Sequence, residues 1–292
     1  MSGIKIPDEL RELYPFASNY MEQPGGRQHY LDEGSGHPIV MLHGNPTWSF
    51  FYRDIVKHFR ATQRCLVPDH LGMGLSDRPE EWSYRLADHV ANTDRLIEAT
   101  IGDKPFDLIV HDWGGAIGMG LAVNRPNQVR RIVIMNTAAY RMNWIPKRIA
   151  MCRWGFVGEF LVRALNGFAW PATKMTTVKK LLPLIQKGYL LPYGNWRNRI
   201  GVARFVQDIP MELSHPSYSS LLAIEEGLAQ LKDKPILIAW GRKDWCFDDR
   251  FLEEWMRRFP MAELASYPHA GHYLMEDDLT AVRARIEVFL KD

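Results

Sequence analysis

Short, continuously apolar runs alternate along this chain with longer segments in which apolar residues recur at a helical period. Apolar runs of four to eight residues bounded by turn residues are typical of strands buried on both faces of a sheet. Such runs predict strands at residues 38–42, 64–68, 107–110, 131–135 and 235–240, and we also predict strands at 27–32 and 263–267. Because helical stretches separate most of them, the pattern predicts an α/β fold.

The pattern changes between residues 137 and 213, where prolines interrupt short amphipathic segments and no convincing strand occurs. We interpret this part as a helical cap, inserted into a core domain formed by residues 1–136 and 214–292. Tryptophan and phenylalanine are frequent in the cap, and we expect some of them to line a pocket, with Trp144, Phe168 and Trp170 as candidates.

Composition is that of one soluble catalytic unit. The chain has 292 residues, of which 46% are hydrophobic and 24% charged, and its formal net charge is +2. Neither a signal peptide nor a membrane-spanning stretch is evident, so we expect a cytoplasmic protein. Three scattered cysteines are too few for a disulfide framework or a zinc site. We expect no metal and no cofactor.

Charge is unevenly distributed. Residues 137–213 hold twelve Lys and Arg against three acidic residues, a formal charge of +9 that leaves about −7 for the rest. Basic residues beside aromatic ones could dock on an acidic protein partner or a membrane surface. A solvated basic face over an aromatic pocket wall is the alternative, and we expect no nucleic acid partner.

The most informative segment is His111-Asp112-Trp113-Gly114-Gly115, which ends an apolar run in a sharp turn. Such a strand-to-helix turn is where serine hydrolases project their nucleophile. An aspartate there is already an anion at neutral pH and can attack saturated carbon directly. The plainer interpretation is that Asp112 only caps the following helix.

A base and a supporting acid follow later in the chain. His272 follows the last predicted strand, and Asp244 follows the strand at 235–240. The order nucleophile, acid, histidine is the one that α/β-hydrolase triads use. Asp248 and Asp249 compete for the acid's role, but Asp244 is closest to the strand end. His43, His70 and His111 more simply organise loops.

The chain resembles the haloalkane dehalogenase group of the α/β-hydrolases over nearly its full length. The resemblance rests on His43-Gly44-Asn45-Pro46, on residues 68–77, on His111 to Gly115 and on His269-Ala270-Gly271-His272. It implies a mostly parallel eight-stranded sheet flanked by helices, with the cap inserted after the sixth strand. It also implies that Asn45 and Trp113 hold a departing anion or oxyanion, as neutral donors can, and that Asp244 supports the histidine.

A finer resemblance points to the branch of this group that contains the β-lactone decarboxylases of bacterial long-chain olefin biosynthesis. The segments that carry it are 68–72, 188–193, 204–210 and 214–218. It implies conversion of a cis-3,4-dialkyl β-lactone to a cis alkene and CO2. Hydrolysis of haloalkanes is the alternative. Epoxide hydrolysis is a third choice, for which Tyr189, Tyr193 and Tyr218 are the candidate proton donors.

Overall fold

A computed structural model of the protein describes residues 3–291 and shows one eight-stranded sheet. The strands are β1 (Asn19–Gln23), β2 (Gly26–Glu33), β3 (Pro38–Leu42), β4 (Arg64–Pro68), β5 (Phe106–His111), β6 (Val129–Met135), β7 (Ile236–Gly241) and β8 (Glu263–Tyr267). Their order across the sheet is β1-β2-β4-β3-β5-β6-β7-β8. The pairings of β1 with β2 and of β2 with β4 are antiparallel, and the others are parallel.

Eleven α-helices occur in the described part of the chain. They are α1 (Arg53–Phe59), α2 (Leu86–Thr100), α3 (Trp113–Asn124), α4 (Lys147–Arg153), α5 (Gly155–Arg163), α6 (Ala169–Met175), α7 (Pro183–Leu190), α8 (Ile200–Gln207), α9 (Tyr218–Gly227), α10 (Asp249–Arg258) and α11 (Leu274–Lys291). Two hydrophobic clusters cover the sheet, one on each face. The predicted mostly parallel α/β sheet is therefore confirmed.

All seven predicted strands are present, with ends that shift by two residues at most. Continuous apolar runs mark the central strands because β3, β5 and β7 are buried at every position. The strand β1 was not predicted, because half-buried and exposed side chains alternate from Asn19 to Glu22 and only Gln23 is buried. β1 lies at the edge of the sheet and pairs only with β2. Because an edge strand has no neighbouring strand on one side, its residues need not form a continuous apolar run.

Between β6 and β7 the structure of residues 3–291 contains helices and no strand. Helices α4 to α8 form the segment predicted as a cap, whereas α9 packs against α2 and α3. The exact limits at residues 137 and 213 stay a prediction. In residues 3–291 no helix combines the length and apolarity needed to cross a membrane.

The elements that hold the site meet where β3 and β5 end side by side. Gly114, in the first turn of α3, lies so close to β3 that an added Cβ would stand 2.0 Å from the carbonyl oxygen of Leu42. Because that obstacle is backbone at the end of a central strand, it cannot move aside without shifting the sheet. Gly114 therefore fixes how closely α3 approaches β3.

We predict that Gly114→Ala lowers the free energy of unfolding by about 2 to 3 kcal/mol, since overpacking against rigid backbone is costly. Gly194→Ala is the matched control, because Gly194 has open space around its Cα and an ordinary φ of −68°. There alanine should be neutral or stabilise by up to about 1 kcal/mol. Urea denaturation measures both, and equal stability of the two variants would contradict the close approach.

Candidate active site

Asp112 occupies a strained turn between β5 and α3. Its φ is +52° and its ψ is −129°, a backbone conformation that residues other than glycine rarely adopt. The turn is held on both sides, since the Asp112 N–H donates to the Asn136 carbonyl at 3.2 Å and the Gly115 N–H donates to the Asp112 carbonyl at 2.8 Å. The Thr137 hydroxyl also donates to that carbonyl. The predicted elbow is present, and Asp112 stands at its apex.

The carboxylate of Asp112 is buried but not isolated. Its Oδ1 accepts a hydrogen bond of 2.6 Å from the Asn45 backbone N–H, and the Trp113 backbone N–H also donates to this carboxylate. Its Oδ2 lies 3.6 Å from His272 Nε2. Burial raises the pKa of Asp112, and the charge of His272 together with the two N–H donors offsets part of that rise. These contacts favour the anion that a nucleophile needs.

His272 is held by Asp244. Its Nδ1 donates to Asp244 Oδ2 at 2.7 Å, which leaves Nε2 facing Asp112. Burial alone would lower the pKa of His272, but the charge and hydrogen bond of Asp244 and the charge of Asp112 outweigh it, so the pKa is raised. Asp248 instead caps α10 and pairs with Arg250, while Asp249 pairs with Arg242. Of the three acidic candidates, Asp244 is the one in contact with His272.

Asn136 supports the acid, a role that sequence reasoning missed. Its Nδ2 donates to Asp244 Oδ2 and to the Gly241 carbonyl, each at 3.0 Å, and its Oδ1 accepts from the Gly241 N–H at 2.8 Å. From the sequence, Asn136 is excluded as the supporting acid, because its side chain is an amide and carries no charge. Its place directly after β6, beside the end of β7, was the signal that could have suggested a supporting contact.

Three further histidines connect the loops around the site. His43 donates through Nδ1 to the Gly44 carbonyl and accepts from the His70 backbone N–H, and His70 donates through Nε2 to the His43 carbonyl. His111 donates through Nε2 to the His272 carbonyl at 2.9 Å. Burial lowers the pKa of each of these three histidines. They stay neutral and position loops.

Asp112 opens onto a cavity of about 870 Å³ that continues to solvent. Asn45 and Trp113 line it beside Asp112, and the rest of the wall is predominantly apolar, including Trp144, Ile145, Ile149, Phe168, Val206 and Phe247. Trp144 and Phe168 are therefore lining residues, as expected. The expectation for Trp170 is wrong, because its side chain is half exposed and lies outside the lining.

Asn45 and Trp113 offer neutral donors next to the Asp112 carboxylate. One N–H of the Asn45 amide donates to the Val202 carbonyl at 3.1 Å, which leaves the other for a ligand. The Trp113 ring packs edge-on against Phe205 at 5.3 Å, and its indole N–H meets no protein acceptor within residues 3–291. Both side chains can therefore stabilise an anion formed beside Asp112.

The tyrosines considered as proton donors lie elsewhere. The hydroxyl of Tyr189 donates to Glu276, that of Tyr193 to the Thr47 carbonyl, and that of Tyr218 accepts from Arg141. Tyr140 does line the cavity, but its hydroxyl donates to the Phe251 carbonyl at 2.6 Å. Among the tyrosines of residues 3–291, Tyr140 alone lines the cavity, so the lining offers no free tyrosine hydroxyl to a substrate oxygen at Asp112. Residues 3–291 also contain no cluster of ligands suited to a metal ion.

Comparison with known proteins agrees with this fold. A family model described as alpha/beta hydrolase fold matches residues 37–155 and 153–279. Two cis-3-alkyl-4-alkyloxetan-2-one decarboxylases are similar, one from Shewanella oneidensis at 36% identity over 97% of this chain and 91% of that protein, and one from Xanthomonas campestris at 38% over 95% and 97%. Haloalkane dehalogenase 2 of Mycobacterium bovis is 34% identical over 94% of this chain and 95% of its own length.

We predict that Asp112→Asn lowers the pKa of the His272 imidazole, since it removes a negative charge 3.6 Å from Nε2. Asp244→Asn should lower it further, because Asp244 acts through both its charge and its hydrogen bond. The titration of the His272 ring signals by NMR measures both changes. Asp248→Asn is the control and should leave this pKa unchanged, and an unchanged pKa in Asp112→Asn would contradict the coupling.

Proposed function

The chain belongs to the α/β-hydrolase fold family, and we propose that within it this protein is a β-lactone decarboxylase that converts a cis-3,4-dialkyl β-lactone to a cis alkene and CO2. The two oxetanone decarboxylases named above, similar over nearly their full lengths, support this choice of substrate. A cytoplasmic location is part of the proposal.

The observation that carries the proposal is a buried carboxylate on the wall of an apolar cavity, flanked by neutral donors. Small-molecule sites are typically lined by apolar side chains with a few polar groups that fix the ligand's orientation. The apolar wall suits the alkyl substituents of such a substrate. The polar atoms that such a ring needs are grouped at Asp112, Asn45 and Trp113.

In the first step, an Asp112 oxygen attacks the ring carbon that carries the lactone oxygen, from the side opposite that oxygen. The carbon–oxygen bond breaks, its electron pair stays on oxygen, and a carboxylate forms on the neighbouring carbon. Asn45 and Trp113 donate hydrogen bonds to this new anion. The substrate is then an alkyl ester of Asp112 that bears a carboxylate one carbon away.

In the second step, the carbon–carbon bond to that carboxylate breaks and CO2 leaves. Its electron pair forms the alkene and expels Asp112 with its own oxygens. Inversion in the first step and anti elimination in the second convert a cis lactone to a cis alkene. No proton moves and no water is consumed.

A second candidate function, haloalkane dehalogenation, is favoured by the pair His272 and Asp244. In that reaction a halide leaves after attack by Asp112, and His272 activates a water that hydrolyses the ester. Nε2 of His272 lies 3.6 Å from Asp112 Oδ2, close enough to activate a water that attacks an ester of Asp112. The Phe247 ring, however, stacks on the imidazole with centroids 5.6 Å apart, and His272 does not line the cavity. In decarboxylation we propose that His272 holds the Asp112 carboxylate in place.

Epoxide hydrolysis has the least support. Opening an epoxide produces an alkoxide, which needs a proton more than it needs neutral donors. The tyrosine hydroxyls near the cavity are already committed to other protein groups.

We predict that a long-chain cis β-lactone gives a cis alkene and CO2 in water labelled with ¹⁸O, and that Asp112 carries no label after many turnovers. Mass spectrometry of the peptide that contains Asp112 reads the label, and gas chromatography reads the alkene. Asp112→Asn should lose roughly a thousandfold or more of the rate. Label in Asp112 after lactone turnover would exclude simple elimination. Bromide from a bromoalkane without alkene from the lactone would instead assign the dehalogenase.

We predict that His272→Gln separates the two reactions. With a bromoalkane, bromide release should stop near one equivalent while the alkyl ester accumulates on Asp112, since loss of a general base costs roughly 10²–10⁴-fold. With the β-lactone, alkene formation should persist, because no step of the elimination needs a proton transfer. His58→Gln, a substitution at a surface histidine that pairs with Glu287, is the control. Equal loss of both reactions would contradict the proposed role of His272.

A further inference from the structure

Exposed large hydrophobic side chains are concentrated in one part of the molecule. Within residues 3–291, eleven of the fifteen such side chains belong to the segment 137–213. The densest group lies where α4 ends and α5 begins, and we call it the α4–α5 surface. It consists of Lys147, Arg148, Met151, Trp154, Phe156, Val157 and Phe160.

Helix α5 has inverted polarity. Its outward side carries Phe156, at 82% exposure, with Val157 and Phe160. Its two charged residues, Glu159 and Arg163, point to the protein side, where Glu159 pairs with Arg163 and with Arg204. A helix on a protein surface normally buries its apolar side and exposes its charges. The reversed arrangement indicates that the outward side of α5 meets an apolar environment.

Cations border this apolar group. Lys147 and Arg148 lie on the exposed side of α4, on the same side as Met151, and the structure of residues 3–291 gives neither of them an acidic partner. The Arg148 guanidinium contacts the Met175 sulfur at 3.5 Å, at the end of α6. The α4–α5 surface therefore combines apolar side chains at its centre with unpaired positive charge at its edge.

Composition favours a lipid surface over a protein partner. Only Trp154, 74% exposed, separates α4 from α5, and Gly155 takes a positive φ of +47° there, so the exposed apolar side chains of the two helices flank one tight turn. Protein interfaces are depleted in lysine. Tryptophan and phenylalanine beside Lys and Arg are typical of segments that lie in the interface of anionic bilayers.

We propose that the α4–α5 surface docks the enzyme on membranes that contain anionic phospholipids. Trp154, Phe156 and Phe160 insert below the headgroups, while Lys147 and Arg148 bind lipid phosphates. Ile149, on the inner side of α4, lines the active-site cavity, so docking places one wall of that cavity against the membrane. An apolar substrate dissolved in the bilayer then has a short path to Asp112.

The test is flotation of the purified protein with vesicles of phosphatidylglycerol and phosphatidylcholine, without any substrate. The wild type should bind vesicles that contain phosphatidylglycerol, and its affinity should fall as salt rises. Phe156→Ser/Phe160→Ser and, separately, Lys147→Glu/Arg148→Glu should each weaken binding at least tenfold. Because the assay needs no turnover, its result is independent of the proposed reaction.

Two matched variants control for general surface effects. Met261→Ser/Val288→Ser removes two exposed apolar side chains from the surface of the core domain. Lys104→Glu/Lys232→Glu reverses two exposed charges on the same domain. Both should bind vesicles like the wild type. Urea midpoints show that each variant is folded, and the charge-reversal variant keeps the test valid if the serine variant unfolds.

Several outcomes would overturn the proposal. They are absence of wild-type flotation, equal affinity for vesicles of phosphatidylcholine alone, and an equal loss in the control variants. Self-association of the wild type in sedimentation experiments that is lost in Phe156→Ser/Phe160→Ser, with no flotation, would assign the surface to a second copy of the chain instead.

Discussion

The burial of one carboxylate as an anion is the constraint on which the rest of this structure depends. Moving a charge from water into a protein interior costs more free energy than the net stability of a folded domain, unless hydrogen-bond donors and an opposite charge replace the solvent. At Asp112 that replacement consists of the Asn45 and Trp113 backbone N–H groups and the nearby His272. Each comes from a different loop, so the carboxylate is stable only where the three loops meet.

The sheet determines where they meet. β3 and β5 are neighbours and parallel, so the loop that contains Asn45 and the turn that contains Asp112 leave the same edge. The approach is close enough that an added Cβ at Gly44 would stand 2.0 Å from Asp112 Oδ1. A residue larger than glycine at position 44 would therefore displace the Asp112 carboxylate, and the backbone supplies both the space and the hydrogen bonds of the site.

The parts of this arrangement that depend on local pattern could be predicted from sequence. Buried strands appear in the sequence as apolar runs, and the turn at Asp112 is marked by the glycines that follow it. Asp112, Asp244 and His272 were identified because each follows the end of a predicted strand. Contacts between distant segments leave no such pattern. Asn136 supports Asp244 across 108 residues of chain, and the exposure of Trp170 depends on how the cap helices pack. The edge strand β1 was not predicted, because it pairs with a strand on one side only and most of its residues are not buried.

The first step that we propose can lead to two products, and the chemistry of the substrate determines which one forms. Displacement at a saturated carbon by Asp112, with Asn45 and Trp113 receiving the departing anion, gives an alkyl ester whether that anion is a halide or a carboxylate. If the anion departs as a free halide, only water activated by His272 can release the ester. If the anion remains attached one carbon away as a carboxylate, loss of CO2 releases the ester without water. A site built for the first step alone thus becomes hydrolytic or decarboxylating according to whether its leaving group stays bonded to the substrate.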